Sequence, residues 1–368
     1  MDKPDRLVQD YERANPSGRL DQAHLEIEQL GNGLAAHNRI SGAVCFLPHH
    51  TVGGPKQTTN LFDSLLSEDL AAAGLFIKSR HVHPVPVSFS KSSRFVSLFC
   101  SRGERTAILE CPNDEILDIF KFMLGKRITC EREPEGYADR ISLQYHGDGF
   151  GVFVNSTPVF GQCEFPMARH VVMREIATSL AGRHRVSATF HAGAVGTNEK
   201  ALVFAAPSGS GKSTLTAAAA VSGFTYLSDD QCAFVDGLIS PFPTRIGLKA
   251  GSWDVADLHS YDLDSIEPSF VGDGYTKAVT PPVAADSSDL FRVAAFVFPA
   301  FDKIGSYSLV EVTKMEALQR LFDSGARLTG RYPTFRPLAE TLAEVPAYSL
   351  TYNNTLQAIE AVADLLAA

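Results

Sequence analysis

The stretch from Phe190 to Asp236 constrains this chain more than any other, and at its centre stands Ala206-Pro-Ser-Gly-Ser-Gly-Lys-Ser213. The residues just before it, Ala201-Leu-Val-Phe-Ala205, form a short apolar run that reads as a buried strand. The residues after it, Thr214 to Val221, are rich in alanine and stop at Ser222-Gly223, which reads as a helix closed by a glycine cap. A glycine-rich loop between a strand and a helix is the setting of a phosphate-binding loop. Gly209 and Gly211 let the backbone curl so that successive N–H groups face one anion. The helix N-terminus adds partial positive charge there. Lys212 is placed to reach the outer phosphates, and the Ser213 hydroxyl to bind Mg²⁺. Ser208, Gly209, Ser210, Gly211, Lys212, Ser213 and Thr214 are therefore the expected nucleotide-binding residues. Ala206 replaces the usual first glycine and is still small.

Two features near this loop point to chemistry beyond binding. Ser228-Asp229-Asp230 closes the next apolar run, Phe224-Thr-Tyr-Leu227, and Asp229 lies 17 residues after Lys212, room for one helix, a turn and a returning strand. In an open α/β sheet the C-terminal ends of parallel strands meet at the ligand crevice, so the acid pair is expected to face the phosphates. His191 lies 21 residues before Lys212, in what reads as the strand preceding the loop strand, Thr189-Phe-His-Ala-Gly-Ala-Val195.

The string His191 … Ser208-Gly-Ser-Gly-Lys-Ser213 … Ser228-Asp-Asp230 resembles the catalytic core of the HPr kinase/phosphorylase family and the wider group of HPr-kinase-like proteins. The resemblance covers residues 185–250 well, the rest of the C-terminal half loosely, and the first 150 residues not at all. It implies an ATP- and Mg²⁺-dependent kinase of a serine hydroxyl, on a sheet of the kind shared with ATP-dependent phosphoenolpyruvate carboxykinase. It implies Asp229 as the base for the acceptor hydroxyl, His191 as the residue orienting Asp229 or the acceptor, and Lys212 on the transferring phosphoryl group. Ser213 and Asp230 would hold the metal. The family's second signature pairs a glutamate with an arginine in a glycine-rich run and is tied to phosphorylase activity. Here that region reads Pro243-Thr-Arg-Ile-Gly-Leu-Lys-Ala-Gly-Ser-Trp253, with Arg245 and Lys249 but no glutamate, so the reverse reaction does not carry over. Arg245 and Lys249 remain expected contacts for a substrate phosphate or for transition-state charge.

The rest of the chain sets bounds. Its 368 residues allow two domains: an α+β unit over 1–160, with substrate or partner binding as its role by elimination, and the α/β P-loop domain over 161–368. A formal net charge of −9 argues against nucleic-acid and membrane-surface partners. The six scattered cysteines fit reduced thiols in a cytoplasmic protein. Residues 1–40 lean towards helix, 43–47 and 94–100 read as strands, and 131–139 reads as a linker or exposed loop. Asp114 to Leu124 and Met167 to Leu180 have helical spacing, the first with Asp114 as its capping acid. His49-His50 and His81-x-His83 lack a further ligand at metal spacing and read as loop histidines. Pro268 to Ser288 is loop-rich and has the composition of a lid.

The acceptor expected by resemblance is a serine or threonine of a protein or peptide, including ribosomally made peptide precursors; a small-molecule hydroxyl is the other candidate. A nucleotide-binding regulator that controls partner binding without transfer, and a plain ATPase, are the competing readings. The intact Lys212, Ser213, Asp229 and Asp230 favour chemistry, because a pure sensor can lose its base. The family is known for homo-oligomers, but the sequence shows no interface signature.

Overall fold

The chain is a mixed α/β protein; the computed structural model describes residues 25–30, 33–38, 44–48, 95–271, 274–285, 289–329 and 333–367. Strands β1 (Leu25–Leu30), β2 (Gly33–Asn38) and β3 (Val44–Pro48) form a small antiparallel sheet. The helix expected over residues 1–40 is replaced, at 25–30 and 33–38, by antiparallel strands that pair Leu25 with Asn38 and Leu30 with Gly33; Ala35 and His37 of β2 are buried. Buried Glu26 accepts hydrogen bonds from the Phe335 N–H at 3.2 Å and the Thr334 hydroxyl, and lies 3.3 Å from His37 Nδ1. The histidines at 49, 50, 81 and 83, and the apolar run 85–89, lie outside the described residues.

A six-stranded sheet follows: β4 (Val96–Arg102), β5 (Arg105–Cys111), β6 (Thr129–Cys130), β7 (Asp139–His146), β8 (Gly149–Val154) and β9 (Thr157–Cys163), in the order β6-β4-β5-β7-β8-β9. Helix α1 (Asp114–Leu124) is capped by Asn113, which accepts the Ile116 N–H at 2.9 Å; Asp114 is the first helical residue rather than the cap. Helix α2 (Phe165–Ala181) lays Ala168, Val171, Val172, Ile176 and Leu180 on this sheet's core. The polar run at 131–138 connects β6 to β7 inside the sheet.

The second half builds a ten-stranded sheet from β10 (Val186–Phe190), β11 (Ala192–Thr197), β12 (Lys200–Ala205), β13 (Thr225–Ser228), β14 (Cys232–Val235) and β15 (Leu238–Ser240), with four later strands. Helix α3 (Lys212–Val221) joins β12 to β13. A three-stranded sheet joins β16 (Ile246–Lys249), β17 (Ser269–Phe270) and β18 (Tyr275–Val279), the last two lying within the loop-rich region 268–288. The later members of the large sheet are β19 (Phe291–Phe301), β20 (Ser308–Glu311), β21 (Arg327–Leu328) and β22 (Ala347–Tyr352), alternating with α4 (Lys314–Asp323), α5 (Arg336–Glu344) and α6 (Thr355–Ala367). Its strand order is β13-β11-β12-β19-β15-β14-β10-β21, with β22 beside β19 and β20 beside β22. Strands β12, β19 and β22 are parallel neighbours.

Side-chain alternation explains why helices cover both faces. Ala201, Val203 and Ala205 point to the cluster that holds Leu318, Leu321, Leu338 and Leu342 of α4 and α5. Leu202 and Phe204 point to the opposite cluster, with Leu215 of α3 and Val362 of α6. Burying each such side chain stabilises the fold by about 1.5–3 kcal/mol.

Register then positions the site. Strand β11 runs antiparallel to both β12 and β13, so those two share a direction and end at one edge. Ala192 stands opposite Ala205, and Ala194 opposite Ser228. The loop after β12, the acid pair after β13 and the start of β11 therefore come together. The two large sheets are tied by Arg102 of β4, which donates to the Ser240 hydroxyl and, at 3.1 Å, to the Asp289 carbonyl. Phe242 lies in the core of the six-stranded sheet. Among the described residues no helix is long and apolar enough to cross a membrane.

Candidate active site

The loop at 206–211 takes its shape from two glycines in the left-handed region, Gly209 at φ +87° and Gly211 at φ +93°. A side chain at Gly211 is excluded twice over, because its Cβ would lie 2.7 Å from Tyr352 Oη and 3.3 Å from Phe301 Cβ. A Cβ at Gly209 would meet nothing within 4 Å, so that position needs glycine only for its backbone angle. The end of β19 pins the loop from outside, the Phe301 N–H donating to the Ser210 carbonyl at 3.1 Å. No side chain caps the N-terminus of α3, which leaves its first N–H groups at the loop without side-chain acceptors. The Lys212 ammonium is buried and donates to the carbonyls of Ala206 and, at 3.1 Å, Pro207. Burial pulls its pKa down, against the charges of Asp229 and Asp230, which pull it up.

Helix α3 reaches this place because β11 is cut away beneath it. A Cβ at Gly193 would lie 2.2 Å from Thr216 Oγ1, so only glycine lets the helix sit this close to the strand. The four alanines 217–220 are all buried, giving the helix a thin profile against the sheet and α6.

The adjacent aspartates have different surroundings. Asp229 is 5% exposed, and its Oδ1 is buried without a hydrogen-bond partner. Burial, and then the charge of Asp230, push its pKa up to about 7, while a hydrogen bond from Ser213 and the charge of Lys212 oppose the rise. Asp230 has φ +79° and lies 2.9 Å from His191 Nε2 through Oδ1. Burial works against its charge, but the His191 hydrogen bond and the nearby cationic side chains outweigh it and hold its pKa well below the usual carboxylate range. Ser213 is thus linked to Asp229, and His191 to Asp230.

One cavity of about 620 Å³ is lined by every residue named in the sequence analysis as catalytic, metal-holding or substrate-binding: His191, Lys212, Ser213, Asp229, Asp230, Arg245 and Lys249. Ser208, Gly209, Gly211 and Thr214 line it too; Ser210 instead takes the backbone bond from Phe301. Arg245 donates to the Phe122 carbonyl at 3.3 Å and stands 5.8 Å over that residue's ring. Lys249 Nζ is 3.5 Å from Ser208 Oγ. His191 occupies the break between β10 and β11 rather than the middle of one strand.

The cavity also holds residues that sequence reasoning missed. Arg169 and His170 come from α2, Lys303 follows β19, and Tyr352 ends β22. The His170 ring stands edge-on to His191 with centroids 5.1 Å apart, and its Nδ1 is 3.1 Å from Gln231 Nε2. Burial pushes the His170 pKa down to about 4. In the sequence, Arg169 and His170 are simply two polar positions of a predicted helix, and nothing local marks them out.

No protein-family model matches the chain, and a search of curated proteins finds no match.

Proposed function

We propose that this protein is an ATP- and Mg²⁺-dependent phosphotransferase of the HPr-kinase-like type, built on a P-loop, that moves the γ-phosphoryl group to a hydroxyl. The observation that carries the reading is the placement of Asp229. Its buried, unpartnered Oδ1 and its pKa near 7 suit a group that takes a hydroxyl proton at neutral pH, and it shares one cavity with the loop and Lys212.

The residues present fit the groups such a reaction needs. The glycine-shaped loop and the uncapped start of α3 offer N–H groups to phosphate oxygens. Lys212, already held beside the acid pair, leaves the Ala206 and Pro207 carbonyls to meet phosphate charge. Ser213, with the ionised Asp230, supplies oxygens for Mg²⁺, an ion that neutralises phosphate charge when bound. Asp229 receives the acceptor's proton, and His191 fixes Asp230 next to it. Arg245 and Lys249 line the same cavity for the acceptor or for transition-state charge. The acceptor class is a serine or threonine of a protein or peptide, or a small-molecule hydroxyl.

A regulator that only binds nucleotide can lose its base, so the buried Asp229 in one cavity with Lys212 and Ser213 favours transfer over that alternative. Titration with Mg-ATP separates nucleotide binding from chemistry. Wild type and Asp229→Asn should bind alike, and Lys212→Ala should bind at least tenfold more weakly. Equal affinity of wild type and Lys212→Ala would remove the loop from the account.

A further inference from the structure

From the grouping of His170, His191 and Asp230 we infer a nitrogen-rich cation site in this protein, suited to a first-row divalent ion such as Zn²⁺ or Co²⁺ rather than to Mg²⁺. One ligand atom from each residue lies within 4.8 Å of the other two, and all three residues line the cavity. Donors about 2.0–2.1 Å from a tetrahedral ion lie about 3.3 Å apart, so the three side chains would draw together on binding one. Each donor comes from a different element: His170 from α2, His191 from the break between β10 and β11, and Asp230 from the turn after β13.

Two imidazoles and one carboxylate form a donor set that imidazole-binding metals favour, whereas Mg²⁺ takes oxygen ligands and retains water. Three protein ligands beside a cavity leave positions open for water or a ligand oxygen, as in catalytic rather than structural sites. The His170 ring stands edge-on to His191, with centroids 5.1 Å apart. Gln231, 2% exposed, holds the ring from behind, its Nε2 lying 3.1 Å from His170 Nδ1 and 3.4 Å from His170 Nε2. Asp230 keeps its carboxylate on the cluster at φ +79°, a conformation that non-glycine residues hold only when their surroundings impose it. The cluster shares Asp230 with the Mg²⁺ position of the kinase reading but takes its other two donors from histidines, where that position takes the Ser213 hydroxyl.

The inference stands on these residues alone and does not depend on the kinase reading, so its test omits nucleotide. Full-length protein stripped of metal is titrated with Co²⁺ and followed by visible absorption, with equilibrium dialysis to count ions. The expected result is one Co²⁺ per chain with d–d bands of an ion bound through nitrogen, displaced by Zn²⁺ and not by a large excess of Mg²⁺. Loss of an outer-shell partner alone costs about 10–100-fold in metal affinity, so His170→Ala, a direct ligand, should lose at least that much. Gln231→Leu should weaken binding less and shift the bands. Thermal melts of the metal-free variants verify folding, and Mg-ATP affinity measured separately tells whether the nucleotide reading stands. Absence of stoichiometric Co²⁺ binding, or binding that survives His170→Ala and is lost in Ser213→Ala, overturns the inference.

Discussion

His191 and Asp230 meet where β11 starts and β13 ends, Nε2 to Oδ1 at 2.9 Å, with Asp230 in the left-handed region at φ +79°. The two side chains are about 28% and 31% exposed, so water screens the pair only in part. His191→Ala removes the partner that holds Asp230 in this conformation. The expected loss of stability is about 1–2 kcal/mol by chemical denaturation. Transfer should fall by more than nucleotide affinity does. A variant with unchanged transfer would assign the histidine a structural role only.

The raised pKa of Asp229 has a definite sign in the pH dependence of stability. Between about pH 4 and pH 7 the folded protein holds a proton that the unfolded chain has released, so this group makes stability fall as pH rises through that window. Asp230 acts in the opposite sense: its depressed pKa adds stability above its unfolded value near 4, and that stability is lost as pH falls. Asp229→Asn removes the first contribution. Its advantage over wild type should be absent below about pH 4 and fully developed above about pH 7, read from denaturation midpoints at several pH values. A variant less stable than wild type at pH 8 would contradict the assignment.

The two loop glycines should separate strain from collision. Gly209→Ala meets only the left-handed backbone penalty, about 1–2 kcal/mol, since its Cβ would enter open space. Gly211→Ala adds the clash with Tyr352 and Phe301 and should cost about 2–4 kcal/mol. Combining Gly211→Ala with Tyr352→Phe removes the hydroxyl 2.7 Å away and should recover part of the difference. Denaturant midpoints of the three variants decide between the two effects.

Arg102 is 6% exposed and joins the two large sheets through the Ser240 hydroxyl and the Asp289 carbonyl. Arg102→Ala removes the donor from the buried Ser240 hydroxyl and the cross-sheet bond to the Asp289 carbonyl, and should cost about 1–3 kcal/mol. Because this contact and Phe242 both join the first-half sheet to the second, the variant should lower the thermal midpoint and weaken the packing behind Arg245. A midpoint unchanged within error would show that the sheets hold together without it.

Much of the C-terminal half was legible because its information is local. The apolar run 201–205, the glycines at 209 and 211 and the alanine-rich helix each declare a backbone state, and their sequence spacing sets which strand ends meet. The register of β11 between β12 and β13 was beyond such reasoning, and with it the division by which Asp229 faces Ser213 while Asp230 faces His191. His170 was invisible for the same reason. Its position depends on α2, packed on the six-stranded sheet, turning Arg169, His170 and Met173 into a cavity that the loops of the large sheet also line. At 25–30 and 33–38 polar composition suggests helix, whereas the strands there are set by distant packing, with buried Glu26 accepting from Thr334 and Phe335, more than 300 residues away.

The central claim is that Asp229 accepts the proton of a hydroxyl during phosphoryl transfer. Purified protein with Mg-ATP, alone and with serine- and threonine-containing peptides or small-molecule extracts, followed by mass spectrometry for a gain of phosphate, tests it directly. The account predicts acceptor-dependent phosphorylation by wild type, a fall of about 10²–10⁴ in Asp229→Asn, and Mg-ATP affinity retained in that variant. Phosphorylation by Asp229→Asn at the wild-type rate would contradict it.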